Sequence, residues 1–454
     1  MTTSQFINPF EEVVLHHPQT QLFAHVIPLG LNVTRLIFKE SDREHDLIIG
    51  PESSEDHWKL GRKFLGPIIG RYANRLPAGK HHFDNETRTI NIAEFSAKNV
   101  ALHGGPEEED LSLPQLRKDS DRLIMQKGPF DRLIWQRISI DQSQFFSKEE
   151  SSSFPKESWA IFGLLNKGVS IDGEQKGYPG DIRIEVRLAV IPGNGQMKTN
   201  NIPRLGNCAG KLQMEYRVSI SDNECMATPL NITHHWAFNL SASEPKARAR
   251  DGGKIDNHTL LLFPLEEEEE EDEKKSSKLY TLSLDDQMVP DGSLIDCSGT
   301  QHDWFDKGKE GFGRTIIHKG SLNGYDHFYC WGSPSTQQQN DQARLLLHSP
   351  ATELSLAFYT NQSGVQVYTT NGQPCAPANA MESGGAMKRI HADDGDEIYG
   401  NAQRSGVALE FGHPHATFLH KSYQDLAKND TILRKGEQYH HWLEVEVYKK
   451  VQSN

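Results

Sequence analysis

Closely spaced cysteines are missing from this chain. Its five, Cys208, Cys225, Cys297, Cys330 and Cys375, are scattered and form no CxxC pair. That pattern argues against a disulfide scaffold and a cysteine zinc site, and fits reduced thiols in the cytosol. Positive charge is also short. Lys and Arg number 48 against 62 Asp and Glu, for a net −14 and a pI of about 5.8, which argues against nucleic acid or an anionic membrane as partner. No apolar run reaches the roughly 18 residues that a membrane-spanning helix needs. The first 17 residues, MTTSQFINPFEEVVLHH, have no basic n-region and no apolar h-region, so no secretory signal is expected. P-loop, GxSxG and HExxH patterns are absent as well. What these absences leave is a soluble, acidic, cytoplasmic protein.

What the chain does have is alternation. Leu212, Met214, Tyr216, Val218 and Ile220 alternate with polar residues, as do Ile182, Ile184, Val186, Leu188 and Val190. Leu354, Leu356 and Phe358 repeat the pattern, and Leu443, Val445 and Val447 do so near the C-terminus. A period of two marks strands with one buried and one wetter face. Turn signals separate them, such as Tyr178-Pro179-Gly180 and Pro290-Asp291-Gly292. Many such strands and few helical stripes predict an all-β fold, a large antiparallel sandwich or barrel. At 454 residues length alone suggests two or three domains, although large all-β folds exceed that scale.

Five polar stretches read as surface inserts: 106–122, 148–158, 191–207, 265–277 and 333–342. The run Glu266 to Glu273 would repel itself in any packed position, and the others are rich in Ser, Pro, Gly, Asn or Gln. Such segments bury too little apolar area to offset their ordering entropy, so loops in part disordered are expected.

Chemistry concentrates in five short motifs. They are GRYANR (70–75), LHGG (102–105), NITHHWAFNL (231–240), GYDH (324–327) and LEFG (409–412). Histidine titrates near neutrality and so can both give and take a proton. Asn231 and Asn239 would frame the tandem His234-His235, and Trp236 and Phe238 would dry it. In an extended segment the two histidines point to opposite faces. His235 then shares its side with Thr233 and Ala237, and His234 shares the core side with Ile232, Trp236 and Phe238. Glu410 follows the apolar run Val407, Ala408, Leu409, where a carboxylate is either salt-bridged or working as a base with an adjusted pKa. By residue type the set is a proton-transfer pair with a collar of hydroxyl binders, suited to a polyol such as a sugar.

In these motifs and their order the chain resembles the aldose 1-epimerase (galactose mutarotase) family. The likeness runs from PLGLNVTRLIF (28–38) to TILRKGEQYHHWLEVEVY (431–448), with GPFDRLIW (128–135), DGEQKGYPGD (172–181) and GVQVYTTN (364–371) between. It implies one β-supersandwich domain over 1–454, with a core of roughly 12–450, an open cleft and no metal or organic cofactor. It also implies Glu410 as catalytic base, His235 as catalytic acid and His103 as the second active-site histidine. Asn74, Arg75, Asp326 and Gln366 match sugar binders, so the expected partner is a small-molecule aldohexose such as galactose or glucose, taken by a monomer or dimer. Departures from the family pattern are His234 where asparagine is usual, Trp236-Ala237 in place of Ser-Tyr, and Phe411-Gly412 after the base.

Three other readings compete. A hexose-6-phosphate 1-epimerase would need a phosphate-binding cluster, for which the sequence offers only Arg71 and Arg75. A non-catalytic sugar sensor on the same fold would not need Glu410 and His235. A metal site at His16-His17, His81-His82, His440-His441 or His413/His415 lacks the usual ligand spacing.

Overall fold

The computed structural model describes residues 6–450 except 86, 96–98, 107–112, 114–115, 117–121, 170–173, 194–204, 266–277, 306–313, 317–323, 335–339, 373–386 and 394–402. The alternating segments are strands. Leu212, Met214, Tyr216 and Val218 of Asn207–Ile220 are completely buried, as are Ile182, Ile184, Val186, Leu188 and Val190 of Ile182–Ile191, the antiparallel strand paired with it. Both belong to a ten-stranded sheet in which Tyr439–Lys449 lies between Asn207–Ile220 and Leu354–Thr360. The C-terminal strand thus joins the two halves of that sheet. All its ladders are antiparallel except the short one between Met125–Gln126 and Trp159–Asn166.

A six-stranded sheet faces it, in the order Ala237–Phe238, Val407–Gly412, Gly364–Tyr368, Asp326–Cys330, Tyr280–Leu284 and Pro290–Asp296. One face of this sheet presents Val365, Val367, Val407, Leu409 and Phe411, which join the apolar residues of the large sheet in one core cluster. The two layers interlock through aromatic rings, since Phe358 lies 5.4 Å from Phe238 and 5.2 Å from Phe411 between centroids. A four-stranded N-terminal sheet adds Leu22, Ala24 and Val26 to the same cluster. The architecture is the expected all-β sandwich. Packing its inner faces this way supplies the main stabilisation.

The outer face of the large sheet is not left wet. Glu185, Arg187 and Glu215 are buried there under the segment around 143–158. Ser147 closes a capping box on the helical turn Lys148–Ser151. Glu150 pairs with Arg217 at 2.5 Å and Arg187 with Glu215 at 2.6 Å. Phe146 lies under both guanidinium groups, 5.0 and 4.5 Å away. The stretch 148–158, expected as a loose insert, is therefore at the surface but packed, with Ser151 and Ser158 buried. Its Glu150 joins an ion-pair network with the sheet, while Lys148, Glu149, Lys156 and Glu157 stay exposed. Of the other expected inserts, all of 266–277 and much of 106–122, 191–207 and 333–342 lie outside the described residues.

Phe358 bridges the layers, so Phe358→Ala should cost about 3–5 kcal/mol in equilibrium urea unfolding. A loss below about 1 kcal/mol would mean that the sheets do not depend on this contact.

Candidate active site

Residues directly opposite one another in an antiparallel ladder share a face. Gln366 is opposite Glu410, Tyr368 is opposite Ala408, and Ala408 is opposite Ala237. On the other side Asp326 is opposite Tyr368, and Phe328 is opposite Gln366. The valine face of the six-stranded sheet is core, so Asp326, Gln366 and Glu410 stand together on the face turned away from it. Alternation alone delivers them there.

His235 reaches the same face from the edge. The expected strand from Ile232 to Phe238 is in fact two short ones, Thr233–His234 and Ala237–Phe238. At the break the His235 amide donates to Pro67 O at 2.8 Å, and its carbonyl accepts from Gly66 at 2.7 Å. The expected sidedness survives the break. His234 lies between the Tyr216 hydroxyl at 3.2 Å and Gly66 O at 2.7 Å. Its ring is 5.0 Å from Trp236, which packs on Phe238.

The two asparagines of this segment bracket the strand that carries Glu410. Asn231 donates to His413 O at 2.9 Å and accepts from His413 N at 3.2 Å. Asn239 donates to Ser405 O at 2.8 Å. Both ends of Val407–Gly412 are thereby tied to the segment that carries His235. The spacing of the two strand segments that carry His235 and Glu410 is thus held by amide hydrogen bonds.

Asn74 and His103 form the opposite wall. The ladder of Arg75–Pro77 with Val100–Leu102 continues one step further, where His103 N donates to Asn74 O and Asn74 N donates to His103 Nδ1, both at 3.1 Å. Both residues have left-handed backbone, with φ of 61° and 49°. Gly104 is required beside them, because a Cβ there would run into the Gly70 carbonyl. The His103 ring ends 5.1 Å from that of His235, edge-on.

At the centre His235 Nε2 is 3.2 Å from Glu410 Oε1. Both side chains are buried, and Glu410 Oε2 and His235 Nδ1 have no hydrogen-bond partner among the described residues. Burial raises the Glu410 carboxyl to about 8; Asp326 pushes in the same direction and Arg75 opposes it. Burial also lowers the His235 imidazole to about 4. Each group is driven to its neutral form by loss of water. Asp326 is held on two sides, by Gln366 Nε2 at 2.6 Å and Arg75 Nη2 at 3.5 Å. Gln366 Oε1 is buried with no hydrogen-bond partner among the described residues. All seven residues expected at the site are thus linked into one cluster.

Donor atoms of His103, His235 and Glu410 lie within 4.8 Å of one another, a spacing a divalent metal could also use. The His103 tautomer argues against it. Since Nδ1 accepts the Asn74 N–H, the proton of the neutral ring is on Nε2, which is then a donor and not a ligand. The histidine pairs noted in the sequence belong to no three-donor cluster among the described residues. His81 bonds Pro77 O, His413 bonds Ser363 and His440 bonds Glu215.

A buried carboxylic acid touching an imidazole, under a rim of Asp, Arg and Gln, can exchange a proton beside groups able to bind hydroxyls. Comparison with known proteins places the chain in a family. The family model for aldose 1-epimerase matches residues 11–127 and 205–446. The chain belongs to the aldose 1-epimerase family. The family's members are isomerases. Human galactose mutarotase is 24% identical over 347 residues, which cover 76% of this chain and 74% of that protein. Escherichia coli aldose 1-epimerase is 25% identical over 382 residues, covering 83% and 78%. In fold, the chain is similar to an aldose epimerase homologue from Caenorhabditis elegans, with TM-score 0.63, 15% identity and coverage of 97% and 99%. It is also similar to a galactose 1-epimerase from Lactobacillus acidophilus, with TM-score 0.57, 16% identity and coverage of 97% and 95%. Residues 128–135 and 172–181, read as family markers in the sequence, lie outside the stretches that the aldose 1-epimerase model matches.

Several residues at this epimerase-family cleft carried no sequence signal. Phe64 lies 4.5 Å from the His103 ring and 5.6 Å from that of His235. Arg62 donates to the carbonyls of His103 and Gly105. His415, which entered the sequence reading only as half of a metal pair, packs on Phe328 at 4.6 Å. Burial, with Arg75 close by, holds its imidazole well below the ordinary range. Nothing in the spacing of these residues links them to the motifs; only folding does.

Removing the Asn231 side chain would leave a buried N–H and C=O of His413 unpaired. Asn231→Ala should therefore cost about 1–3 kcal/mol in urea unfolding. Wild-type stability would show that water replaces the amide and that the bracket is dispensable.

Proposed function

We propose that the protein interconverts the α and β anomers of free aldohexoses by acid-base ring opening and closure. Glu410 is the base and His235 the acid. The observation that carries the reading is the buried contact between His235 Nε2 and Glu410 Oε1. Burial drives both groups neutral, so between about pH 4 and 8 the pair holds one proton. In the empty cleft that proton resides on Glu410. Passing it across 3.2 Å to His235 gives carboxylate and imidazolium without any exchange with solvent.

That charge-separated form performs the reaction. Glu410 takes the proton of the anomeric hydroxyl, and C1 and its oxygen become the carbonyl. The C1–O5 bond breaks, its electron pair stays on O5, and O5 receives the proton of His235 Nε2. Rotation about C1–C2 presents the other face of the aldehyde. O5 then closes the ring and both protons return. Each placed acid or base is worth ~10²–10⁴-fold. His103 Nε2–H and Arg75 donate to the anomeric oxygen, where charge develops. Asp326, Gln366 and Asn74 hold the remaining hydroxyls and set the sugar's orientation.

The phosphate alternative has less support. Arg71, one of its two expected cations, is buried and donates to Asn166 Oδ1 at 2.7 Å and to Pro179 O at 3.0 Å. Arg75 faces Asp326. A 6-phosphate would thus meet a carboxylate-bearing rim rather than a cation cluster. A pure sensor would have no use for a carboxyl kept protonated beside a histidine.

The test is anomer exchange followed by polarimetry or NMR on free and 6-phosphorylated sugars. Free aldohexoses should exchange faster than in buffer, with EDTA leaving the rate unchanged. Binding without acceleration would move the protein to the sensor class. The profile of kcat/KM should be bell-shaped, falling below about pH 4, where the pair gains a second proton, and above about pH 8, where it loses its only one.

Glu410→Gln should retain less than about a tenth of the rate. It should also be at least as stable as wild type at pH 8. The folded protein keeps a Glu410 proton that the unfolded chain releases above about 4.5, so stability falls as pH rises towards 8, and Gln removes that loss. An active Glu410→Gln, or one with a lower Tm at pH 8, would contradict the assignment.

A further inference from the structure

We infer that Arg62 and Asp131 form a positioning clamp that fixes His103 and the Phe64 ring against the catalytic pair. What His103 does in turnover rests on the epimerase reading above; the clamp itself rests on geometry.

Arg62 and Asp131 are paired out of solvent, with side-chain exposures of 4% and 3%. The guanidinium grips the carboxylate with two prongs, Nε to Oδ2 at 2.7 Å and Nη2 to Oδ1 at 2.8 Å. Two further bonds go to backbone, Nη1 to Gly105 O at 2.6 Å and Nη2 to His103 O at 2.8 Å. One planar group thus holds the carbonyls on both sides of Gly104. The same guanidinium stacks 4.8 Å from the Phe64 ring and 4.9 Å from Phe95. Phe64 has left-handed backbone, φ 53°, a conformation costing about 1–3 kcal/mol for a non-glycine residue and kept only where the surroundings enforce it. Here it brings the aromatic face over His103 and His235.

Asp131 is itself anchored. It lies in the 3₁₀ turn Phe130–Arg132, whose Phe130 is buried in the main core against Trp135, 5.9 Å away. The carboxylate therefore connects the core to the His103 loop through a single arginine. Asp131 is also in the stretch 128–204 that the family model does not match. Lysine could not replace Arg62, because only the fork reaches a carboxylate and two carbonyls at once.

The clamp has an electrostatic consequence. The charged and titratable groups facing His103 are His235, Glu410, Arg62, Arg75 and His415. Burial first, then His235, Arg62, Arg75 and His415, hold its imidazole well below the ordinary range. It stays neutral, with Nδ1 free to accept from Asn74 and Nε2–H left as a donor. Without Arg62 one of the opposing positive charges is gone, and His103 protonates at a higher pH. Nδ1 then becomes a donor facing the Asn74 N–H donor, and that bond is lost.

The test compares Arg62→Lys, Arg62→Met and Asp131→Asn with wild type. It reads kcat and KM for anomer exchange, Tm, and the His103 tautomer by long-range ¹H–¹⁵N NMR, with the signal assigned by its loss in His103→Gln. Arg62→Lys should lower kcat roughly ten- to hundredfold at a nearly constant KM, as a small misplacement of a catalytic donor does. Arg62→Met should also shift the His103 titration to higher pH; Lys, keeping the charge, should not. Asp131→Asn decides the matter if Arg62→Met does not fold. Folded Arg62→Lys and Asp131→Asn with wild-type kcat and an unchanged His103 signal would overturn the clamp. So would a fall in kcat in folded Arg62→Met with the His103 titration unshifted, since the effect would not then pass through His103. If wild type exchanges no anomers, the epimerase reading fails, and the NMR arm still decides the clamp.

Discussion

Taking water away from one carboxyl and one imidazole governs the chemistry of this protein. In water Glu410 would be ionised and His235 would titrate near neutrality. Buried at 3.2 Å from each other, each is forced towards its neutral form, so that one proton serves both. Burying two such groups as an ion pair would cost several kcal/mol for each charge. Keeping them neutral at rest avoids that cost and still leaves the charged form one proton jump away. In the proposed mechanism acid and base exchange roles within each turnover, and a shared proton is the physical means of doing so.

The rest of the molecule is arranged around that pair. The sandwich core packs the valine face of the six-stranded sheet, and by alternation this sends Asp326, Gln366 and Glu410 the other way. Asn231 and Asn239 fix the register between the histidine segment and the Glu410 strand. On the facing wall, backbone pairing of Asn74 with His103 sets the tautomer of a donor. Each device is a neutral hydrogen bond or a packed apolar face. None adds a charge next to the pair, and the charges at the rim, Asp326 and Arg75, act on Glu410 in opposite directions.

Much of this was legible in the chain. Period-two segments predicted the strands, and the same alternation separated His234 from His235 before any geometry was known. The site residues came from motif order and family resemblance, and all seven fall in one cluster. Other features were hidden. The break in the histidine strand comes from Gly66 and Pro67 capturing the His235 backbone, a long-range event without local signature. Segment 148–158 looked like loop because the partners of Glu150, Arg187 at its carbonyl and Arg217 at its carboxylate, lie in strands far along the chain. Arg62, Phe64 and His415 have no motif of their own. Their meaning arises only where three loops meet.

Infrared difference spectroscopy of wild type against Glu410→Gln, recorded from pH 5 to 9 without sugar, tests the shared-proton account most directly. The account predicts a carboxylic-acid carbonyl band from Glu410 at pH 6 that gives way to carboxylate bands near pH 8. Carboxylate bands already dominant at pH 6 would contradict it, because the pair would then rest as an ion pair and burial would not be what sets its protons.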